Sequence, residues 1–140
     1  MANDTWFYEN FEHTGSAIGF RIVRKLDEVQ SPFQNIEIYQ TTDFGNLMVI
    51  DGAMMVTTRE NFFYHEMMSH AAVYTHPAPR NIVIIGGGDC GTLREVLRHP
   101  EVTRAVQCDI DEQVTRMAEK YFPELCESNS DPRATVMFDD

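Results

Sequence analysis

Apolar and polar residues alternate through "SAIGFRIVRKLDEV" (residues 16–29) and "FQNIEIYQTT" (residues 33–42), with β-branched side chains frequent in both. Period-two alternation of this kind predicts half-buried strands, here separated by the breaker "QSP". "NLMVIDGAMMV" (residues 46–56) reads as two short strands about Asp51-Gly52. Both of those turn residues tolerate positive φ, which marks a tight hairpin. Phe44-Gly45 marks a further turn, and the whole predicts a small antiparallel sheet reaching about Thr57.

After Thr57 the pattern changes. In "TTRENFFYHEMMSHAAVYTH", Phe62, Met67, Ala71 and Val73 recur at near-helical spacing, with Thr58 as the expected N-cap and prolines at 77 and 79 as terminators. An apolar strand (residues 81–85) then runs into Gly86-Gly87-Gly88, followed by a helix with Leu93, Val96 and Leu97 on one face. A second strand (residues 104–110), a helix (residues 111–122) closed by Pro123, and a third strand (residues 134–138) follow. This series predicts the opening half of a doubly wound α/β sheet. The expected division is a β-strand domain over residues 1–59 and a partial Rossmann-like nucleoside-binding domain over residues 60–140. Such an apolar first strand suits a central position covered on both faces. With only three parallel strands its edge would stay bare, so the sequence reads as cut off rather than finished.

The charge balance adds one constraint. A net charge of −11 disfavours nucleic acid and anionic membranes as partners, leaving simple solubility or a cationic ligand. No apolar run reaches the roughly 20 residues of a membrane span. "MANDTWFYENFEH" lacks the basic start and apolar core of a secretion signal, so a cytoplasmic location is expected. Cys90, Cys108 and Cys126 are odd in number and contain no CxxC pair, which points to reduced thiols rather than disulfides or a zinc site.

The candidate chemistry centres on "IIGGGDCGTLREV". Gly86-x-Gly88-x-x-Gly91 satisfies the dinucleotide fingerprint, and Asp109 ends the next strand, where an acid can accept ribose hydroxyls. S-adenosyl-type cofactors use the same layout. Asp89 separates the two readings, because a carboxylate beside a pyrophosphate costs about 1–4 kcal/mol at surface-like dielectric. A sulfonium or ammonium group would gain instead. The plainer alternative is that Asp89 caps the following helix. In "YHEMMSH", His65 and His70 are five apart rather than i and i+4, which excludes the zinc-protease pattern, and no metal site is expected. Phe62, Met67 and Met68 read as packing residues, while Tyr64 and His65 suit either packing or a polar cleft.

Taken in order, several segments resemble the polyamine aminopropyltransferases, the family of spermidine synthase. They are a tryptophan (Trp6) ahead of the β-region, "SPFQNIEIYQT", "FGNLMVIDG", "TTRENFFYHEMMSH", "IIGGGDCGTLREVLRH", "DIDEQV" and "DPRATVMFDD". The resemblance implies transfer of an aminopropyl group from decarboxylated S-adenosylmethionine to putrescine, giving spermidine and methylthioadenosine. Decarboxylated S-adenosylmethionine is then a co-substrate and no cofactor is held permanently. It further implies that Gln34, Gly86, Gly87, Gly88, Asp109 and Asp140 hold the nucleoside, with Asp109 on the ribose and Asp140 on the adenine amine. Tyr64, His65 and Asp89 would line the amine site, and subunits would associate through the N-terminal sheet as a homodimer or homotetramer.

Three departures accompany the resemblance. Cys90 stands where the family usually has glycine, which requires its side chain to point away from the ligand. Asp109 stands for the usual glutamate, one methylene longer. The family's Asp-[Ser/Cys]-x-Asp-Pro segment, which carries its proposed base, does not occur, so the base is expected beyond Asp140; "SDPR" at residues 130–133 precedes the third strand and would lie at the opposite end of the sheet. The expected chain is therefore a fragment of an aminopropyltransferase that needs the remainder for turnover. An S-adenosylmethionine-dependent methyltransferase, a NAD oxidoreductase and a non-catalytic nucleoside- or polyamine-binding module are the alternatives.

Overall fold

A computed structural model describes residues 5–140, which form two compact units, one ending at Glu60 and the other spanning Asn61–Asp140. The first is a five-stranded antiparallel sheet in the order β1 (Thr5–Phe11), β2 (Ser16–Gln30), β3 (Asn35–Thr41), β4 (Asn46–Ile50) and β5 (Ala53–Thr57). Ile22, Leu47 and Val49 form its core, with Phe7, Phe20, Tyr39 and Met54 packed against them. Ile36 and Ile38 of β3 are also fully buried, and Ile38 pairs across the ladder with buried Met48. The β4–β5 hairpin turns on Asp51 (φ 48°) and Gly52 (φ 82°), both left-handed as a two-residue hairpin turn requires.

Trp6 lies inside β1 rather than ahead of the β-region, opposite Arg21 of β2, whose guanidinium sits 5.4 Å from the indole centroid. The aromatic run "TWFYENF" conceals this strand, because both of its faces carry large side chains and no period-two contrast remains.

The second unit contains α1 (Asn61–Thr75), β6 (Asn81–Ile85), α2 (Gly91–Leu97), β7 (Arg104–Asp109), α3 (Glu112–Tyr121), a single 3₁₀ turn (Pro123–Leu125) and β8 (Ala134–Phe138). Its three strands are parallel in the order β6-β7-β8. Val73, Leu93, Val96, Leu97, Val102 and Ala105 form its core, with Ile82, Ile84, Ala134 and Val136 packed against them. Among the described residues β6 is an edge strand; Ile82 and Ile84 turn inward while Val83 and Ile85 are 67% and 92% exposed.

The α1 helix differs from its sequence pattern in two ways. It starts at Asn61, three residues after the expected cap. The Thr58 hydroxyl instead accepts the Asn46 N–H of the first sheet at 3.1 Å, and the Thr57 hydroxyl accepts the Glu60 N–H at 3.1 Å. Its buried stripe is His65, Ser69 and Val73, at i, i+4 and i+8, whereas Phe62, Met67 and Met68 face outward. The small and polar stripe lets α1 lie close against α2, and the bulky residues occupy the other face.

Both later helices end on specific side chains. Asp111 N-caps α3, its carboxylate accepting the Gln113 N–H at 3.0 Å. Arg133, just before β8, donates to the Leu97 carbonyl at 2.7 Å and the Val102 carbonyl at 3.1 Å, and ion-pairs with Asp131 at 2.8 Å. It thereby supplies donors to carbonyls at and beyond the C-terminal end of α2, which a helix leaves unsatisfied.

Candidate functional site

The carboxyl ends of β6, β7 and β8 carry, respectively, the glycine turn, Asp109 and the Asp139-Asp140 pair. Open α/β sheets bind ligands outside this edge. Asp109 is 9% exposed, and its two carboxylate oxygens accept the Gly88 N–H at 2.8 Å and the Asp111 N–H at 2.9 Å. A Cβ on Gly88 would stand 2.9 Å from that carboxylate and 3.0 Å from Val114. Gly88 is thus a glycine because the acid of the neighbouring strand reaches across to its backbone. A carboxylate has about four acceptor positions, so Asp109 retains capacity for hydroxyl donors after both bonds.

Asp89 precedes Cys90, which occupies the N-cap position of α2, and its carboxylate serves the start of that helix. Oδ1 accepts the N–H of Gly91, the first residue of α2, at 3.0 Å, while Oδ2 lies 2.9 Å from Nε2 of His65. His65 is fully buried and its Nδ1 has no partner among the described residues. A carboxylate only accepts, so Nε2 donates in the Asp89 contact. A Cβ on Gly91 would overlap the imidazole ring, so the third glycine of the fingerprint makes room for His65. Tyr64 stands edge-on to His65 with ring centroids 5.7 Å apart and is 58% exposed.

His65, Asp89, the turn from Gly86 to Gly88, and Asp109 therefore form one cluster, with Tyr64 at its margin. Asp140 follows β8 at the same sheet edge, where the Asp139 N–H donates to the Asp109 carbonyl at 3.1 Å and the Asp140 N–H to the Asp139 carboxylate at 3.0 Å. Gln34 belongs to the first unit, in the turn before β3, where the Ser31 hydroxyl accepts its N–H at 3.0 Å.

Cys90 has φ +69°, the left-handed region that favours glycine, which accounts for the glycine usual at this position in the family resemblance. Its thiol is fully buried beneath the turn, 3.5 Å from the Gly88 carbonyl and 3.5 Å from the Gln107 amide nitrogen that donates to it.

Sequence reasoning missed a second polar cluster on the far side of α1. His65 and His70, about 140° apart around a helix of 3.6 residues per turn, serve different neighbours. His70 Nδ1 meets His99 Nε2 at 2.9 Å, and His70 Nε2 lies 3.6 Å from Glu95. Burial, then the charge of His70, hold His99 below the ordinary imidazole range. Glu95 is fully buried between Arg94 and Arg98, each at 2.9 Å. Glu66, His70 and Glu95 could converge on a cation, but the two guanidiniums already compensate the Glu95 charge. The available signal was "LREVLR", charged residues inside a helix too short and too apolar to expose them all.

Fold and site together define an S-adenosyl-type Rossmann-like unit, with acids around its glycine turn, preceded by an antiparallel sheet. Residues 61–140 match the spermine/spermidine synthase domain, and residues 5–58 match the spermidine synthase tetramerisation domain. The chain belongs to the spermine/spermidine synthase family. It is 75% identical over 139 residues to the polyamine aminopropyltransferase of Xanthomonas axonopodis pv. citri, covering 99% of this chain and 49% of that one. It is 72% identical over 138 residues to that of Xylella fastidiosa, covering 99% of this chain and 48% of that one. Among solved structures it superposes on the spermidine synthase of Thermotoga maritima with a TM-score of 0.92 and 36% identity, over 99% of this chain and 48% of that one. A spermidine synthase in complex with the transition state analogue AdoDATO gives a TM-score of 0.92 and 36% identity, over 98% of this chain and 47% of that one. The chain spans about half the length of the relatives it matches.

No helix among the described residues is long and apolar enough to cross a membrane.

Proposed function

We propose that this chain forms the nucleoside-binding part of a spermidine synthase, an aminopropyltransferase moving the aminopropyl group of decarboxylated S-adenosylmethionine to putrescine. The observation that carries this reading is the pair of acids at the glycine turn. Asp109 is fixed to the Gly88 backbone, and Asp89 is fixed to Gly91 and His65. An anionic lining repels a pyrophosphate and attracts sulfonium and ammonium groups.

The residues divide the work. Asp109 accepts from the ribose hydroxyls, with Gly86, Gly87 and Gly88 beneath the nucleoside and Asp140 toward the adenine amine. Asp89 and Tyr64 face the cationic amine, and His65 holds the Asp89 carboxylate in place through Nε2. The reaction displaces a neutral thioether, methylthioadenosine, by the neutral amine of putrescine, so holding amine and sulfonium in line provides much of the acceleration. No residue from 5 to 140 is assigned the role of base. The tetramerisation-domain match supports a homo-oligomer assembled through the antiparallel sheet.

Thermal stability measured against methylthioadenosine, S-adenosylhomocysteine and NAD tests the reading. The largest shift is expected with methylthioadenosine. A largest shift with S-adenosylhomocysteine would indicate a methyltransferase, and with NAD an oxidoreductase. Asp89→Asn sharpens the test: affinity for decarboxylated S-adenosylmethionine should drop about tenfold or more, the equivalent of ~1.4 kcal/mol or more. Methylthioadenosine lacks the amine and should bind as before.

A further inference from the structure

We propose that Cys90 and Cys126 form a reversible dithiol–disulfide site beneath the glycine turn, closed by a two-electron oxidant of the peroxide class. Far apart in sequence, the two residues meet in the fold, and their thiols hydrogen-bond to each other. Cys126 follows the 3₁₀ turn, and its sulfur lies 3.8 Å from the carbonyl oxygen of Asp89, the residue preceding Cys90.

The surroundings of Cys90 are those of a sulfur prepared to carry charge. Gln107 donates its amide N–H to Sγ at 3.5 Å, and Asn129 adds a second side-chain hydrogen bond. The oxygens of both amides, Gln107 Oε1 and Asn129 Oδ1, are buried without a partner among the described residues. A buried acceptor left unsatisfied is costly, so both amides give their donors to the sulfur at the expense of their own oxygens. The Cys126 hydrogen bond, ahead of the two amides and against burial, brings the Cys90 thiol down to about 7. Cys126 is pushed up by its bond to Cys90 and by burial. Backbone conformation adds to the case, since a side chain is kept at φ +69° where glycine would be unstrained.

The chemistry balances with peroxide as the oxidant. Cys126, the more accessible of the two sulfurs, takes one oxygen from hydrogen peroxide. The O–O bond breaks, the thiol proton goes to the departing hydroxide, and a sulfenic acid and one water result. The Cys90 sulfur then attacks the Cys126 sulfur, the S–O bond breaks, and the Cys90 proton leaves with hydroxide as a second water. Two electrons pass from the thiol pair to the peroxide, and an S–S bond joins the start of α2 to the segment after the 3₁₀ turn. Cys108 is the internal control: it is partly exposed, and its thiol approaches the Asp139 carbonyl at 3.7 Å.

The test treats the whole chain with hydrogen peroxide, counts free thiols and maps linked peptides by mass spectrometry. Alkylatable thiols should fall from three to one. The linked peptides should join Cys90 to Cys126, and dithiothreitol should restore all three thiols. A Cys90→Gly variant suits the left-handed backbone and so removes the thiol without straining the turn. In it, no intramolecular link should form and Cys126 should proceed to sulfinic acid. Linkage through Cys108, or sulfinic acid on Cys126 of the unaltered chain without a link to Cys90, would overturn the proposal.

Discussion

In β4 three consecutive residues, Leu47, Met48 and Val49, are fully buried, whereas the equally apolar β6 leaves Val83 and Ile85 exposed. The two strands are hard to tell apart as sequence, yet one buries consecutive residues and the other only alternate ones. The antiparallel unit obtains its neighbours through short turns, so a strand's partners lie next to it in the chain. In the parallel unit each neighbour arrives through a crossover helix, and the cover of β6 depends on segments remote from it. Apolar content states what a strand can bury; connectivity decides how much of it is buried.

The largest expected effect tests that contrast directly. Leu47→Ala should cost about 2–5 kcal/mol in urea unfolding, as for other fully buried leucines, while Ile85→Ser should stay within roughly 0.5 kcal/mol. Equal losses at the two positions would abolish the distinction. Next, Gly91→Ala should cost about 1–3 kcal/mol by driving a methyl into the His65 ring, with the His65 NMR signals moving as the Asp89 contact opens. If His65 were unperturbed, the close approach of α1 to α2 would be refuted. Arg133→Ala should lose on the order of 1 kcal/mol, because its head group is partly solvated, and the amides at the end of α2 should exchange faster with solvent.

The smallest effect concerns pH. The Arg133 guanidinium, with its backbone N–H, holds the Asp131 carboxyl at about 2, below its ordinary value of 3.8. A depressed folded-state value stabilises the fold at pH above the ordinary value, and that contribution disappears as pH falls through about 2. Asp131→Asn should therefore lower stability modestly at neutral pH and flatten the acid limb between about pH 4 and 2, so that the two profiles converge below about pH 2.

The sequence showed the hairpin at Asp51-Gly52, the strand–helix alternation and the acids of the site, because each depends on local chemistry: positive φ, a period, a carboxylate after a strand. It did not show what depends on approach between distant segments. The outward face of α1 carries the bulky residues since Gly91 admits His65, a fact visible only once α1 and α2 meet. Thr58 looks like a helix cap, but the Asn46 N–H lies within its reach and takes the hydroxyl. Arg133 resembles a loop residue until the end of α2 is placed beside it. Cys90 and Cys126 read as scattered thiols for the same reason.

Among the described residues the margin of β6 is uncovered, and this has a colloidal consequence for the 140-residue chain. The outer backbone groups of that strand and the bare side chains of Val83 and Ile85 form a strip on which a second copy could be templated edge to edge. At neutral pH each copy carries a charge of −11, and the mutual repulsion keeps those strips apart. Salt shortens the reach of that repulsion to about 8 Å at physiological ionic strength and about 3 Å at 1 M. Light scattering should accordingly rise with added salt, the reverse of ordinary salting-in, and a lysine placed at Ile85 should suppress the rise.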